Sequence, residues 1–395
     1  LNRQVFDIYF KNGRGTMEIN GVTIQMLPAA SGDCIYLEFP DSDFRMLIDG
    51  GYAKTYQKYL KKFLRNLAAE GKRLNLIVVT HIDNDHINGI KALLRENGDA
   101  KDPQIIGIDE IWFNGLDQCI AARKSEQTMT FSLENILESM SPSEINLDYE
   151  NGSQDISYIS GCHLAQLIQS GDYRWNISTP NSLVCNEQTI LFGDLKIKIL
   201  NPTIEILNEM KENWLHYLNE KCHKNIEITK ASLFDAAFEG FFLNNEIDVE
   251  IEQEEISYSD ESSNWLDEYT ENKEAEMDSK TTNCSSISLL LEYKNLKMLF
   301  PGDSPIQLFE KELPKEFDLI KLPHHGSIKN ISLEFIKNTK VKYYLLSTDG
   351  KRYGHPGKSV IANIIKHTED NTKLIKNYNV SLLTGLGELD ESYNR

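Results

Sequence analysis

The sequence predicts a mixed α/β protein of the α+β type, an αββα sandwich in which two β-sheets pack face to face and helices cover them. Two observations lead to this fold class. Short apolar runs typical of strands alternate with longer segments that have helical spacing of apolar residues. This order occurs twice, since each half of the chain begins with several short strands and then alternates strand with helix.

The first half contains four strands and a helix in clear order. The strands are predicted at "VTIQMLPAA", "DCIYLEFP", "FRMLIDGGY" and "LNLIVVTH", and the helix between the last two is "TYQKYLKKFLRNLAAEGKR", which ends at Gly71. A further strand, "IDEIWFNG", precedes a mainly helical stretch over residues 116–175. A strand pair, "TILFGDLKIKILNP", and a helix, "IEILNEMKENWLHYLNE", follow it.

The second half resumes after an irregular stretch with a hairpin of two strands, "SISLLLEY" and "LKMLFPGD". Strand and helix then alternate through "DLIKLPHHGS", "ISLEFIKN", "VKYYLLSTDG" and "PGKSVIANIIKH". The run "VSLLTG" is predicted to be the last strand.

An acidic stretch separates the two halves. Residues 244–280 contain 14 acidic and two basic residues, so they account for −12 of the net charge of −19 and leave −7 for the rest. The overall acidity therefore describes one segment and does not exclude a nucleic-acid substrate. We predict that one half of the domain spans 1–203, with the helical segment at 116–175. A helical and then acidic, partly mobile insertion spans 204–282, and the second half spans 283–395.

The six cysteines include no CxxC pair, which favours reduced thiols over a disulfide framework or a zinc ribbon. No apolar run approaches the length of a membrane span, and the first residues lack an apolar signal core. The expected location is the cytoplasm, with no membrane partner.

Titratable side chains stand where the apolar strands end. In layered α/β folds the carboxyl ends of strands meet at the functional crevice, so these residues are expected to lie together. They are Asp49, His81, Asp303, His324, His325 and Asp349, with His355 a few positions later.

The stretch "THIDNDH" places two histidines and two aspartates on one strand-to-helix turn. Carboxylates this close repel each other unless a positive charge lies between them, and a divalent metal ion is the usual one. An alternative is that Asp83 or Asp85 caps the helix that follows. In the same way, His324 and His325 could form a polar turn, and the Gly-His-Pro at His355 could be a rigid turn.

"THIDNDH" with Gly89 resembles the TH-x-D-x-D-H-x-x-G signature of the metallo-β-lactamase fold. With "LIDGG", "FPGD", "LPHHGS" and "YGHP", the chain looks like the subgroup typified by the hydrolase domain of the competence protein ComEC. The resemblance covers about residues 22 to 110 and 284 to 385 and implies a metallo-β-lactamase sandwich.

The resemblance implies a site for one or two metal ions. His81 and Asp83 would bind one ion, Asp85 and His86 the other, and Asp303 would bridge them. A late histidine, His324 or His355, would complete the second site. The resemblance also implies supporting contacts around these ligands from a further set of residues: Asp49, Asn283, His325 and Ser327.

Imidazole and carboxylate ligands suit Zn²⁺ or Mn²⁺ independently of the resemblance. The superfamily usually places a further histidine just before the "FPGD" hairpin, but this chain has "TTNCSSISLL" there, with Asn283 or Cys284 nearest the position. The first ion is therefore expected to be weakly bound or to be an oxygen-preferring ion such as Mn²⁺. His163 is a less favoured replacement for the missing ligand.

The favoured hypothesis is a metal-dependent phosphodiesterase or nuclease acting on DNA or RNA, with Asp85 in the reaction centre and Lys321 or His324 stabilising developing charge. A second hypothesis is hydrolysis of a lactone, thioester or β-lactam, because this fold hosts several chemistries. A third is an effector or scaffold subunit whose acidic insertion binds a protein partner that triggers catalysis. The subgroup resemblance connects such an effector with bacterial defence against phage.

Overall fold

A computed structural model describes residues 7–9, 16–121, 152–222, 275–368 and 371–383. Within them the strands are β1 (Asp7–Tyr9), β2 (Thr16–Ile19), β3 (Val22–Met26), β4 (Ile35–Phe39), β5 (Phe44–Ile48), β6 (Leu76–Val78), β7 (Ile111–Trp112), β8 (Thr189–Phe192), β9 (Leu195–Asn201), β10 (Ser288–Tyr293), β11 (Leu296–Phe300), β12 (Glu316–Lys321), β13 (Lys340–Leu346) and β14 (Lys373–Lys376). The α-helices are α1 (Ala53–Thr55), α2 (Lys61–Ala69), α3 (Asn84–Asn97), α4 (Leu116–Ala121), α5 (Gly152–Ser170), α6 (Ile204–Cys222), α7 (Thr281–Cys284), α8 (Leu333–Asn338) and α9 (Lys358–His367).

The strands form two sheets. One sheet has the order β2-β3-β4-β5-β6-β7, and the other has the order β1-β14-β13-β12-β11-β10-β9-β8. In the first sheet β5, β6 and β7 are parallel, and in the second β11, β12, β13 and β14 are parallel. The parallel strands matter for the site because their carboxyl ends lie along a common edge.

The apolar side chains form three layers, as a four-layer sandwich requires. Between the sheets, Met46 of the first sheet and Leu289 of the second belong to one buried cluster. Because successive strand residues point to opposite faces, Leu47 joins instead the cluster under α2, α3 and α5. Leu290 likewise joins the cluster under α8 and α9. The predicted fold class, a sandwich of two sheets with helices outside, is confirmed.

The end of the chain differs from the sequence prediction. "VSLLTG" is not a strand where it is described, because Ser381–Leu383 forms a 3-10 turn. The last strand is instead β14, which pairs in parallel with β13. Leu382 and Leu383 are buried in the cluster under α8 and α9. The short apolar run therefore indicated that these residues are buried, but not that their backbone is extended. Periodicity alone cannot distinguish a buried strand from a buried helical turn.

Most of the predicted insertion, residues 223–274, and part of the predicted helical segment, residues 122–151, lie outside the described residues. The boundaries drawn at 203 and 282 stay predictions. Strands β8 and β9 lie in the second sheet, where β9 pairs with β10. Within the described ranges, no helix is both long and apolar enough to cross a membrane.

The start of α3 is packed unusually closely against the loop after β5. Gly89 donates its backbone N–H to Gly51 O at 2.7 Å, and a Cβ added at Gly89 would lie 1.9 Å from Gly50 O. No side chain fits there without moving backbone. The glycine at the end of the "THIDNDH" signature thus lets the helix dock against the loop that carries Asp49.

Gly89→Ala is therefore expected to destabilise the protein by about 2–3 kcal/mol or more, the usual cost of overpacking that rigid backbone cannot relieve. The measurement is the free energy of unfolding in urea. Gly107→Ala is the matched control, because its Cβ would meet Arg73 at an ordinary 3.5 Å. Equal stability of the two variants would show that the close contact at Gly89 is not essential.

Candidate metal centre

The "THIDNDH" turn follows β6 and leads into α3. Asp83 stands at the N-cap position of α3 with extended backbone, but its side chain makes no capping hydrogen bond. Its carboxylate instead accepts hydrogen bonds from Ser157 Oγ at 2.9 Å and from Lys280 Nζ at 2.6 Å. The helix-cap explanation for Asp83 therefore fails, and its carboxylate is paired with Ser157 and Lys280 instead.

Asp49 anchors this turn from the neighbouring strand. β5 and β6 are parallel, so Asp49 at the end of β5 lies beside Thr80. Asp49 accepts the Thr80 N–H at 2.8 Å and the Thr80 Oγ1–H at 2.7 Å. It also accepts a hydrogen bond from His86 Nδ1 at 2.8 Å. This is the contact by which Asp49 was expected to orient a ligand histidine.

The second pair of histidines lies on the turn after β12. The turn Pro323–Gly326 holds His324 and His325 with φ of 45° and 56°, the left-handed region that non-glycine residues rarely adopt. His325 Nδ1 donates to Ser347 O at 2.8 Å, and the His324 N–H donates to Gly302 O at 3.2 Å. The turn is thus tied to the ends of β11 and β13.

Asp303, just after β11, is the point on which the two turns converge. Its Oδ2 lies 3.3 Å from His86 Nε2, 3.6 Å from His325 Nε2 and 3.8 Å from the Nε2 atoms of both His81 and His324. Asp303 is 3% exposed. One buried carboxylate oxygen therefore faces four imidazoles, which suits a ligand shared by metal ions.

Three of these imidazoles are oriented alike. His81 Nδ1 bonds the Thr80 hydroxyl at 3.0 Å, while His86 Nδ1 bonds Asp49 and His325 Nδ1 bonds a carbonyl. A proton on Nδ1 leaves the lone pair of the neutral ring on Nε2. The three Nε2 atoms are buried and have no hydrogen-bond partner of good geometry among the described residues. Buried polar atoms are normally satisfied, so these atoms fit a metal ion that completes them.

The donor atoms are close enough together to bind such an ion. Among the described residues there are four groups of three side chains in which the donor atoms of each group all lie within 4.8 Å of one another. The groups are His81, His86 and Asp303; Asp85, His86 and His325; Asp33, Asp303 and His325; and Asp33, Asp49 and His86. Imidazole and carboxylate donors of this kind suit Zn²⁺ or Mn²⁺.

The buried histidines and carboxylates of the centre shift one another's pKa values. Burial tends to lower the pKa of His86, but the carboxylates of Asp303 and Asp49 raise it well above its ordinary value. Burial tends to raise the pKa of Asp303, yet His86, His325 and His324 hold it well below its usual range. A divalent ion would therefore compete with a proton for His86 Nε2, and metal binding should release protons.

His324 lies at the edge of the centre. Its Nδ1 is 3.3 Å from Asp278 Oδ2 and 3.2 Å from Asn330 Oδ1, and its side chain is 24% exposed. Asn283 donates to the same Asp278 carboxylate at 2.7 Å, so Asn283 is linked to His324 through one residue. This contact with Asp278 is consistent with the predicted role of Asn283 in supporting the metal ligands.

His355 and Ser327 lie further from the donors. The His355 ring is 5.0 Å from the His324 ring, and His355 is in none of the four donor groups among the described residues. Burial, together with His324 and His325, lowers the pKa of His355 to about 3. The Ser327 hydroxyl accepts the Lys329 N–H at 3.3 Å. His163, the less favoured substitute ligand, has Lys91 and Arg95 as its charged neighbours.

Lys321 was one of two residues, with His324, expected to stabilise developing charge, and its ammonium is enclosed. The side chain is 1% exposed and forms an ion pair with Asp33, and Nζ lies 3.7 Å from Asp303 Oδ1. This position suits holding Asp303 in place better than contact with a substrate.

Sequence reasoning missed three residues of the centre: Asp33, Asp278 and Lys280. Asp33 precedes a strand and does not follow one, but β4 is antiparallel to β5, so the start of β4 lies beside the end of β5. The Asp33 N–H donates to Asp85 O at 3.3 Å. Asp278 and Lys280 lie in the acidic stretch 244–280. With 14 acidic residues there, no sequence pattern distinguishes these two from the charged residues around them. The last residues of that stretch therefore contact the centre.

Residues 27–159 match the family described as the Metallo-beta-lactamase superfamily. The match includes the "THIDNDH" turn and Asp49. A search of curated proteins finds no match to this chain. This match, the two-sheet sandwich and the His/Asp donor groups support a metallo-beta-lactamase superfamily domain in this chain, and the family suggests a metal-dependent hydrolase.

Proposed function

We propose that this protein is a metal-dependent phosphodiesterase that cleaves DNA or RNA, related to the ComEC-type subgroup. The observation that carries the proposal is that Lys280 and His324, which can supply a positive charge or a proton, lie at the exposed edge of the metal-donor cluster. The side chains of Lys280 and His324 are 30% and 24% exposed, whereas those of His81, His86 and His325 are at most 2% exposed.

Such a rim favours a substrate whose reacting group is anionic over the neutral reacting ring of a lactone or β-lactam. A phosphodiester carries a negative charge that grows around phosphorus in the transition state, and nearby fixed N–H donors stabilise it. When bound, a divalent ion lowers the pKa of water and polarises a phosphoryl oxygen. One or two such ions would be held by donors from His81, His86, His325, Asp85 and Asp303.

The chain's own residues would divide the remaining work. Asp49 keeps His86 and the Thr80 loop in position, since its two oxygens bind both. Lys321 and Asp33 fix Asp303 from its buried side. His324 can give a proton to a leaving oxygen, because it is partly exposed and its pKa, which burial tends to lower, is raised by Asp303 and Asp278.

The test is incubation of the purified chain with plasmid, single-stranded DNA, RNA and a chromogenic phosphodiester in Mn²⁺, Mg²⁺ or Zn²⁺. We expect cleavage that EDTA abolishes and that added Mn²⁺ restores. A β-lactam, a lactone and a thioester are assayed in parallel. Chelator-sensitive turnover of one of these three, with none of any phosphodiester, would overturn the proposal.

The expected biological setting, an effector in bacterial defence against phage, rests on the subgroup resemblance. It predicts that a partner which binds the acidic stretch raises the rate of cleavage above that of the purified chain alone. Comparing the two rates with a candidate partner present and absent tests this setting.

A further inference from the structure

Both oxygens of the Asp83 carboxylate already accept a hydrogen bond. Its Oδ1 accepts from Ser157 Oγ at 2.9 Å, and its Oδ2 accepts from Lys280 Nζ at 2.6 Å. None of the four donor groups found among the described residues includes Asp83, although the resemblance assigns it to the first metal ion. The nearest imidazole atom, His81 Nε2, is 3.8 Å from Asp83 Oδ2.

Lys280 is held in this position by its own backbone. It precedes α7, and its N–H donates to Asp278 Oδ1 at 3.0 Å. The other oxygen of Asp278 accepts from Asn283 at 2.7 Å and from Asn330 at 3.2 Å. Asn330 also donates to Asp303 O at 2.8 Å. The loop that carries the ammonium is therefore fixed to the same turn as the shared carboxylate.

We propose that the Lys280 ammonium takes the place of the first metal ion, so that the centre binds one divalent ion and uses lysine as its second positive charge. The ion would lie among Asp85, His86 and His325, next to Asp303. This inference rests on the proposed metal-dependent hydrolase. It also explains why the chain has "TTNC" where the superfamily usually has a further histidine. A site occupied by an ammonium needs no further metal ligand.

An ammonium in this place has a chemical consequence. It carries a single charge and three N–H donors, and Asp83 takes one of them. Because the side chain is 30% exposed, another N–H can donate to a phosphodiester oxygen beside the metal ion. Lys280 would thus bind the negatively charged phosphate group directly. A neutral ester has no such charge for the ammonium to bind.

The experiment counts bound ions, so it does not depend on activity. The full chain is stripped with chelator and dialysed against Mn²⁺, and bound metal is measured by mass spectrometry and by the electron paramagnetic resonance signal of coupled Mn²⁺ pairs. We expect one ion in the wild type and two in Lys280→Met, which frees Asp83. Lys294→Met, which breaks an exposed ion pair with Asp41, is the control and should keep one.

A second variant makes the result independent of whether Lys280→Met folds. If Asp83 is bound to lysine and not to metal, Asp83→Asn should keep the single ion with less than about a threefold change in affinity. Two ions in the wild type, a single ion in folded Lys280→Met, or loss of the ion in Asp83→Asn would each overturn the inference. Failure to cleave nucleic acid with the expected ion counts would reject only the phosphodiesterase assignment.

Discussion

Asp303→Asn should lose tightly bound metal and should lower hydrolysis by about 10³-fold or more, because loss of a divalent ion removes several kcal/mol of charge stabilisation. The physical reason is that one oxygen of Asp303 lies within 3.8 Å of four imidazole Nε2 atoms. An amide there supplies a neutral oxygen and an N–H that repels a cation. Metal content after dialysis and the rate of phosphodiester cleavage measure the two effects.

Asp318→Asn is the matched control. Asp318 is a similarly buried carboxylate on β12, but it bonds the Lys297 N–H and Lys342 Nζ. Asp49→Asn should lower bound metal less than Asp303→Asn, because Asp49 acts through His86. If Asp303→Asn retained as much metal as Asp318→Asn, Asp303 would not be the shared ligand.

Replacing His325 with alanine should have the next largest effect, lowering metal affinity by about 10²-fold or more, at least as much as the loss of a residue that only supports a ligand. His325 Nε2 lies 3.6 Å from Asp303 and 3.8 Å from Asp85, and Ser347 O fixes the ring from behind. The geometry thus favours His325 as the late histidine, although the sequence pointed to His324 or His355.

The comparison of three variants tests this assignment. His324→Ala should keep the ion and slow turnover, because His324 is partly exposed at the rim. His355→Ala should bind metal nearly as the wild type does. Isothermal titration with Mn²⁺ gives all three affinities, and circular dichroism checks that each variant is folded. A loss in His355→Ala as large as in His325→Ala would return the late-ligand role to His355.

The neighbouring residues His324 and His325 show why spacing alone could not choose between them. Both have left-handed backbone, which turns successive side chains in directions that neither helix nor strand periodicity describes. One ring faces Asp303 and Asp85 from inside, and the other lies at the edge against Asp278. Sequence reasoning could place the pair at the centre but could not order it.

From the amino-acid sequence alone we could predict the sandwich of two sheets, the turn with His81, Asp83, Asp85 and His86, and a crevice where the strand ends meet. These follow from local rules, since alternation sets strand faces and parallel strands bring their carboxyl ends together. The pairing of Lys280 with Asp83, 197 positions away, and the burial of Lys321 against Asp33 became visible only in the folded structure. Ion pairs between distant segments leave no periodic pattern, so the charge distribution of this centre could be found only once the chain was folded.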